Sequence, residues 1–297
     1  MTSALRQIET ELPLYVTEVD RESLADDRED GEDRYGAEDE TFLLVHGYAA
    51  SSYTWHRWRE PLARRGRVIQ VDLKGFGRAP KPDDGRYTTS DLADLLVEFI
   101  RSLDLTRLTL VGHSLGGGLS LLTTLRLMDA GESRLARLGL VAAPAYPQKL
   151  PPFVALSKTP SVSETFARLL GPTVIVNKVL RTIVYDTSMI TDEQVREYAV
   201  GLGAEGGIRA AMDVGRNIVP DNLDELAQRY GEIETPTFLL WGDHDSVIPL
   251  WVGERLAEEM PNATLTVLAE CGHVPPEETP EESLAAFEAF LDAHPSR

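Results

Sequence analysis

Residues 112–116 read Gly-His-Ser-Leu-Gly, a G-x-S-x-G motif in which a serine stands between small residues. An apolar run at 108–111 precedes the motif, and a run that can form a helix follows it from 117 to about 128. A serine on such a strand-to-helix corner is typical of a nucleophile elbow, a strained turn that exposes the hydroxyl oxygen. The N–H of Leu115 would lie at a helix N-terminus, where partial positive charge favours an anion. The pattern predicts that Ser114 is a nucleophile in acyl transfer.

A serine hydroxyl reacts efficiently only when a base takes its proton and a carboxylate orients that base. In enzymes with such an elbow, the acid and then the histidine follow the serine along the chain. Three histidines come after the serine: His244, His273 and His294. The first two lie in loops that directly follow predicted strands, whereas the third lies near the end of a predicted helix. Two acids, Asp243 and Asp245, flank the first of these histidines, and the residues alone leave the choice between them open.

The candidate serine, histidines and acids can meet only if the strands that precede them end at the same edge of a sheet. Continuous or β-rich apolar runs predict strands at 14–19, 41–45, 68–71, 108–111, 138–141, 237–241 and 264–268. Helical periodicity between the runs predicts helices at 55–65, about 88–103, 117–128, 250–260 and 280–294. Strands that alternate with helices in this way predict a mostly parallel sheet with helices on both faces. Ligands of such sheets bind beyond the carboxyl ends of the strands, where the candidate loops lie.

The alternation breaks at Pro144, where a proline-rich stretch leads into helical periods without clear strands. A capping box at 191–194 marks one helix start in this region. We therefore expect two segments, 1–143 and 234–297, to form a core domain. We expect the intervening residues 144–233 to form a helical cap.

Composition excludes several classes of protein. The chain has 297 residues, 42% of them hydrophobic, and a net charge of -19, which argues against nucleic acids and anionic membranes as partners. Residues 18–40 hold 12 acidic and 3 basic residues and predict a solvated acidic loop. The single cysteine, Cys271, permits no internal disulfide and favours a reducing compartment. Without a long apolar run or an apolar leader, we expect no membrane span and a cytoplasmic location.

Four segments in this order resemble the α/β-hydrolase superfamily. They are His46-Gly47, Asp72-x-x-Gly75-x-Gly77, the motif at 112–116, and Gly242-x-x-Asp245-x-x-x-Pro249 followed by Gly272-His273. The resemblance runs from about residue 41 to the end of the chain and is weakest in the proposed cap. Among members of the superfamily, the sequence is most similar to capped serine esterases and their perhydrolase-like relatives.

The resemblance implies the α/β-hydrolase fold and assigns roles to individual residues. Ser114 would be the nucleophile, His273 the base and Asp245, four residues before a proline, the acid. The backbone N–H groups of Tyr48 and Leu115 would form the oxyanion hole. A serine at the nucleophile position argues against haloalkane dehalogenases and epoxide hydrolases, because their alkyl-enzyme chemistry needs a carboxylate.

The implied activity is hydrolysis of carboxylic esters through an acyl-enzyme, with no metal or organic cofactor. The apolar residues of the cap suggest a small-molecule substrate, an ester with a short-to-medium acyl chain or an aromatic group, and a homodimer is left open. One alternative is a carbon–carbon bond hydrolase of vinylogous diketones; such relatives often carry tryptophan after the catalytic histidine, where this chain has Val274. A second alternative is a non-catalytic ligand-binding protein, although those usually lack a member of the triad.

Overall fold

The computed structural model describes residues 4–20, 40–158 and 169–296. Within these ranges the strands are β1 (Leu5–Ile8), β2 (Tyr15–Val19), β3 (Thr41–Val45), β4 (Arg67–Asp72), β5 (Leu108–His113), β6 (Leu135–Val141), β7 (Thr237–Gly242) and β8 (Ala263–Leu268). They form one sheet in the order β1-β2-β4-β3-β5-β6-β7-β8. The β1–β2 and β2–β4 pairs are antiparallel, and the other pairs are parallel. The predicted α/β class with a mostly parallel sheet is therefore confirmed.

Helices cover both faces of the sheet. They include α1 (Arg59–Ala63), α2 (Thr89–Ser102), α3 (Leu115–Asp129), α4 (Pro152–Ala155), α5 (Pro172–Ile183), α6 (Asp192–Gly203), α7 (Gly207–Arg216), α8 (Leu223–Ala227), α9 (Leu250–Glu259), α10 (Pro275–Glu278) and α11 (Pro280–Ala293). Side chains of β3 alternate between the two faces, as strand geometry requires. Leu43 belongs to a buried cluster with residues of α2, α3 and α9, and Leu44 to a second cluster with residues of α1 and α11.

The order of the strands creates a crevice at the carboxyl edge of the sheet. The chain leaves β3 for β4 on one side and returns to β5 on the other side. The connections that follow β3 and β5 therefore run in opposite directions along the sheet and leave a crevice between them. Ligands of parallel sheets bind at such a switch point. Ser114 directly follows β5 at this point.

Between β6 and β7, the described residues form helices α4 to α8 and no strand. Helices α5 and α6 share a small buried cluster of their own, which includes Val176, Leu180 and Tyr198. No helix in the described ranges combines the length and apolar character that crossing a membrane requires. Most of the predicted acidic loop, residues 21–39, lies outside the described residues.

Three local features differ from the sequence prediction. Strand β1 was not predicted, because its sequence Leu-Arg-Gln-Ile is mostly exposed and carries no apolar pattern. The helix predicted over 55–65 is a 3₁₀ turn at Ser52–Trp55 followed by α1, since Pro61 fits only the first turn of a helix. The short helix α10 was also missed; it begins with two prolines directly after Val274.

Candidate active site

Ser114 occupies a strained corner between β5 and α3. Its backbone has φ 52° and ψ -122°, a conformation that is costly for any residue with a side chain. The backbone N–H of Ser114 donates to the carbonyl of Val141 at 2.9 Å, which ties the corner to the neighbouring strand. A Cβ at Gly112 would meet the carbonyl of Gly116, and a Cβ at Gly116 would meet the end of β3. The two glycines of the motif are therefore required by close backbone packing.

The structure brings Ser114, His273 and Asp245 together. The serine Oγ lies 2.9 Å from Nε2 of His273, and Nδ1 of His273 lies 2.8 Å from Oδ2 of Asp245. The imidazole donates from Nδ1 to the carboxylate, which leaves Nε2 to accept the serine proton. The side chains of His273 and Asp245 are 4% and 0% exposed, so water is largely kept from this hydrogen-bonded chain. The arrangement can activate the serine hydroxyl as a nucleophile.

Asp243, the other acid that the sequence left open, is directed elsewhere. Its carboxylate accepts from Nδ1 of His244 at 2.6 Å and from the N–H of Cys271 at 3.3 Å. Asp245, by contrast, uses its second oxygen to accept the N–H groups of Val247 and Ile248 at 2.8 and 2.9 Å. Those two bonds hold the carboxylate in the orientation that reaches the base.

The predicted oxyanion donors lie beside the serine. The loop after β3 abuts the elbow, since a Cβ at Gly47 would stand 3.1 Å from Cβ of Ser114. Leu115 is the first residue of α3, where the helix leaves N–H groups without partners. Within the described residues, neither the N–H of Tyr48 nor that of Leu115 donates to another backbone carbonyl. Both are available to a negatively charged oxygen next to the serine.

Two buried polar side chains, His46 and Asp72, order the loops around this site. His46 accepts the N–H of Leu73 at 3.0 Å through Nε2 and donates to the carbonyl of Gly47 at 2.7 Å. Asp72 accepts the N–H groups of Ser52 and Arg78 at 2.6 and 2.7 Å. Both side chains therefore hold the loop after β3, which carries Tyr48, against the loop after β4.

A role for His113, the residue before the serine, was not predicted from the sequence. Its Nε2 donates to the backbone carbonyl of His273 at 2.8 Å, so the ring is neutral with the proton on that nitrogen. Burial lowers the pKa of His113 to about 3, which keeps the ring neutral at physiological pH. The only signal in the sequence was its place inside the motif, next to Ser114.

An apolar cavity of about 960 Å³ opens onto the serine and the base. Residues from the helical region between β6 and β7 contribute much of its wall, among them Phe153, Val174, Leu180, Met212 and Ile218. Ser114, His273 and Tyr48 also line the cavity. A ligand bound there would lie against the nucleophile in a mostly apolar environment.

Comparison with known proteins agrees with this fold. A family model described as the alpha/beta hydrolase fold matches residues 40–280. The chain is 27% identical over 252 residues to the uncharacterized hydrolase YugF of Bacillus subtilis, covering 84% of this chain and 89% of that protein. It is 25% identical over 237 residues to 2-hydroxymuconate semialdehyde hydrolase of a Pseudomonas species, covering 78% and 79% of the two chains. An esterase structure from Exiguobacterium antarcticum shares the fold with a TM-score of 0.74, at 19% identity and over 98% and 100% of the two chains.

Proposed function

Because the chain belongs to the alpha/beta hydrolase fold family, we propose that it is a serine hydrolase that cleaves carboxylic esters. The observation that carries the proposal is the continuous hydrogen-bonded chain from Ser114 through His273 to Asp245. A serine, an imidazole and a buried carboxylate in this order are the parts that acyl transfer to a hydroxyl requires.

In the first half of the reaction, Ser114 Oγ attacks the carbonyl carbon of the ester while His273 Nε2 takes the hydroxyl proton. Asp245 holds the ring and stabilises the imidazolium that forms. The tetrahedral intermediate then expels the alcohol, which leaves with the proton from His273, and Ser114 carries the acyl group. In the second half, His273 activates a water molecule that attacks the acyl-enzyme. The carboxylic acid leaves and the serine regains its proton.

The oxyanion of both tetrahedral intermediates would be bound by the N–H groups of Tyr48 and Leu115. One such donor is typically worth about 3 kcal/mol of transition-state stabilisation. Leu115 begins α3, so the N-terminus of this helix adds partial positive charge at the same place.

We assign the region 144–233 the role of a cap that shapes the substrate pocket. Its helices supply apolar side chains to the cavity above Ser114. Such a wall suits the acyl or aromatic part of a substrate, because burying apolar surface contributes about 25 cal/mol per Å². A small-molecule ester with a short-to-medium acyl chain or an aromatic group is the substrate class that fits this lining.

A second candidate is hydrolysis of a carbon–carbon bond in vinylogous diketones. The similarity to 2-hydroxymuconate semialdehyde hydrolase favours it. Against it stands the sequence after the base, where Val274 takes the place at which such relatives often carry tryptophan. Both reactions would use the same three side chains, so only the substrate separates them.

Two substrates and one probe test the proposal. The wild-type protein should hydrolyse p-nitrophenyl butyrate and should not turn over a dienoate ring-fission product. A fluorophosphonate probe should label Ser114, and the Ser114→Ala variant should remain unlabelled. Turnover of the dienoate without the ester would favour the carbon–carbon hydrolase, and absence of both turnover and labelling would favour a ligand-binding protein.

A further inference from the structure

Glu278, the last residue of α10, directs its carboxylate at three backbone N–H groups. One oxygen accepts the N–H of Val274 at 2.8 Å, and the other accepts those of Gly272 and Tyr185 at 2.9 and 2.7 Å. Gly272 and Val274 are the two neighbours of His273 in the chain. Tyr185 lies just beyond the end of α5, within the region 144–233.

The backbone of His273 itself is bonded on both sides. Its N–H donates to the carbonyl of Ile183 at 2.8 Å, and its carbonyl accepts from His113 Nε2 at 2.8 Å. Ile183 is the last residue of α5, so the base is attached to the cap helix at one atom and to the serine elbow at another. With the contacts of Glu278, the three residues 272–274 are held by groups from three different parts of the fold.

The carboxylate of Glu278 is suited to this arrangement. Hydrogen bonds to an ionised acceptor are roughly twice as strong as bonds between neutral groups. One side chain that accepts three N–H groups also fixes their relative positions, which three separate water molecules would not do. A misplacement of about 1 Å in a catalytic group can cost on the order of 10²-fold in rate, so the position of this loop matters to the imidazole.

We propose that Glu278 is a positioning residue, which holds the His273 loop so that the imidazole stays within reach of Ser114 and which joins that loop to the cap at Tyr185. The inference rests on the proposed function, since it gives His273 the role of base. Glu278 does not touch the reacting atoms and acts only through the backbone of residues 272–274.

The test compares Glu278→Gln with the matched control Glu282→Gln, which removes the same charge from an exposed position at the start of α11. A glutamine keeps the shape of the side chain but has only one acceptor oxygen. Its NH₂ group takes the place of the second oxygen and cannot accept a hydrogen bond from the backbone N–H groups. We expect kcat for p-nitrophenyl acetate to fall about tenfold or more, with KM unchanged. The rate of fluorophosphonate labelling at Ser114 should fall in parallel, and the downfield proton NMR signal of the His273–Asp245 hydrogen bond should broaden.

A third variant, Glu278→Asp, keeps both acceptor oxygens and should recover part of the lost kcat, which simple loss of stability would not produce. Should Glu278→Gln fail to fold, the aspartate variant still tests the idea through its kcat and NMR signal. If wild type is active and all variants that fold match it in kcat, labelling rate and NMR signal, the positioning role is wrong and the proposed function stands. If wild type itself neither turns over esters nor reacts with the probe, the proposed function fails first.

Discussion

The loops at the carboxyl edge of the sheet and the helices between β6 and β7, which we assign to a cap, are held in place by different contacts. At the edge, the side chains of interest bond to one another and to the backbone of the surrounding loops, as Asp245 does with Val247 and Ile248 and His113 does with His273. The helices between β6 and β7 pack on each other, and Ala210, Ala211 and Val214 of α7 join the buried apolar cluster of the sheet. Buried hydrogen bonds add to this apolar contact. One example is the bond from the Tyr48 hydroxyl to the carbonyl of Ala211 at 2.8 Å.

This difference predicts two kinds of response to mutation. The edge side chains lie at the hydroxyl of Ser114 or bond to its hydrogen-bonded partners, so a change there should affect chemistry much more than the free energy of unfolding. The cap is attached by bonds between elements far apart in the chain, so changes at those attachments should alter stability more than chemistry. Four predictions test the contrast: two concern side chains at the edge, and two concern side chains that attach the helices between β6 and β7 to the rest of the fold.

Ser114→Ala should have the largest effect. Loss of the nucleophile should reduce ester turnover by roughly 10⁶-fold, as expected when triad members act as a unit. The free energy of unfolding should change little, because alanine must adopt the same positive φ as the serine did. Turnover of p-nitrophenyl butyrate and urea denaturation measure the two quantities. Residual activity within tenfold of wild type would remove Ser114 from the mechanism.

The paired variants Asp245→Asn and Asp243→Asn come next. An asparagine at 245 can hold the wrong imidazole tautomer, and we expect kcat to fall about 10⁴-fold. The same change at 243 removes the negative charge beside the exposed His244 and should leave kcat within a few-fold of wild type. Steady-state kinetics with one ester compare the pair directly. Equal losses would contradict the assignment of the acid.

Glu277→Gln tests a buried attachment of the cap. The carboxyl of Glu277 on α10 accepts from Gln194 at 2.8 Å and from the hydroxyl of Tyr198, both on the cap helix α6. The Tyr198 hydroxyl also lies 2.8 Å from the hydroxyl of Thr54 in the core. Burial raises the pKa of Glu277 from its usual 4.5 to about 8, despite the two donors.

The sign of the resulting pH dependence follows from linkage. Between about pH 4.5 and 8 the unfolded chain has lost this proton and the folded chain retains it. Glu277 therefore makes the free energy of unfolding decrease as pH rises, by up to about 1.4 kcal/mol per pH unit. Glutamine does not titrate, so the variant lacks this decrease in the free energy of unfolding. Its stability relative to wild type should therefore increase from pH 5 to pH 8. Urea denaturation at each pH measures the difference, and a constant difference would show that Glu277 is ionised in the folded state.

Tyr48→Phe should have the smallest effect. It removes the hydroxyl that donates to Ala211 of α7 but keeps the backbone N–H beside Ser114. Loss of one neutral hydrogen bond should lower the free energy of unfolding by about 1 kcal/mol, with kcat for a small ester nearly unchanged. Tyr185→Phe, at a tyrosine that is 45% exposed, serves as the control. A large fall in kcat without loss of stability would show that the Tyr48 hydroxyl takes part in the reaction.

The parts of the fold that could be predicted were those with a strong local pattern. Buried parallel strands such as β3 and β7 are continuous apolar runs, and α2 has a clear apolar face, so their positions were found within a few residues. Strand β1 and helix α10 were missed because their local sequences resemble loops. Each is formed through its neighbours, β1 by pairing with β2 and α10 by docking beside the His273 loop.

By itself, the sequence determined the alternation of strands and helices, the glycine-lined corner at Ser114 and a short set of candidate partners, because backbone preferences and apolar periodicity act over a few residues. The local sequence left Asp243 and Asp245 open and the family resemblance pointed to Asp245; the tertiary structure places Asp245 against His273 and Asp243 against His244. The tertiary structure also showed that two neighbouring residues have different partners. Glu277 bonds to helix α6, and Glu278 bonds to the His273 loop. Which carboxylate is buried and what it bonds to depends on elements brought together from distant parts of the chain, and no local pattern records that.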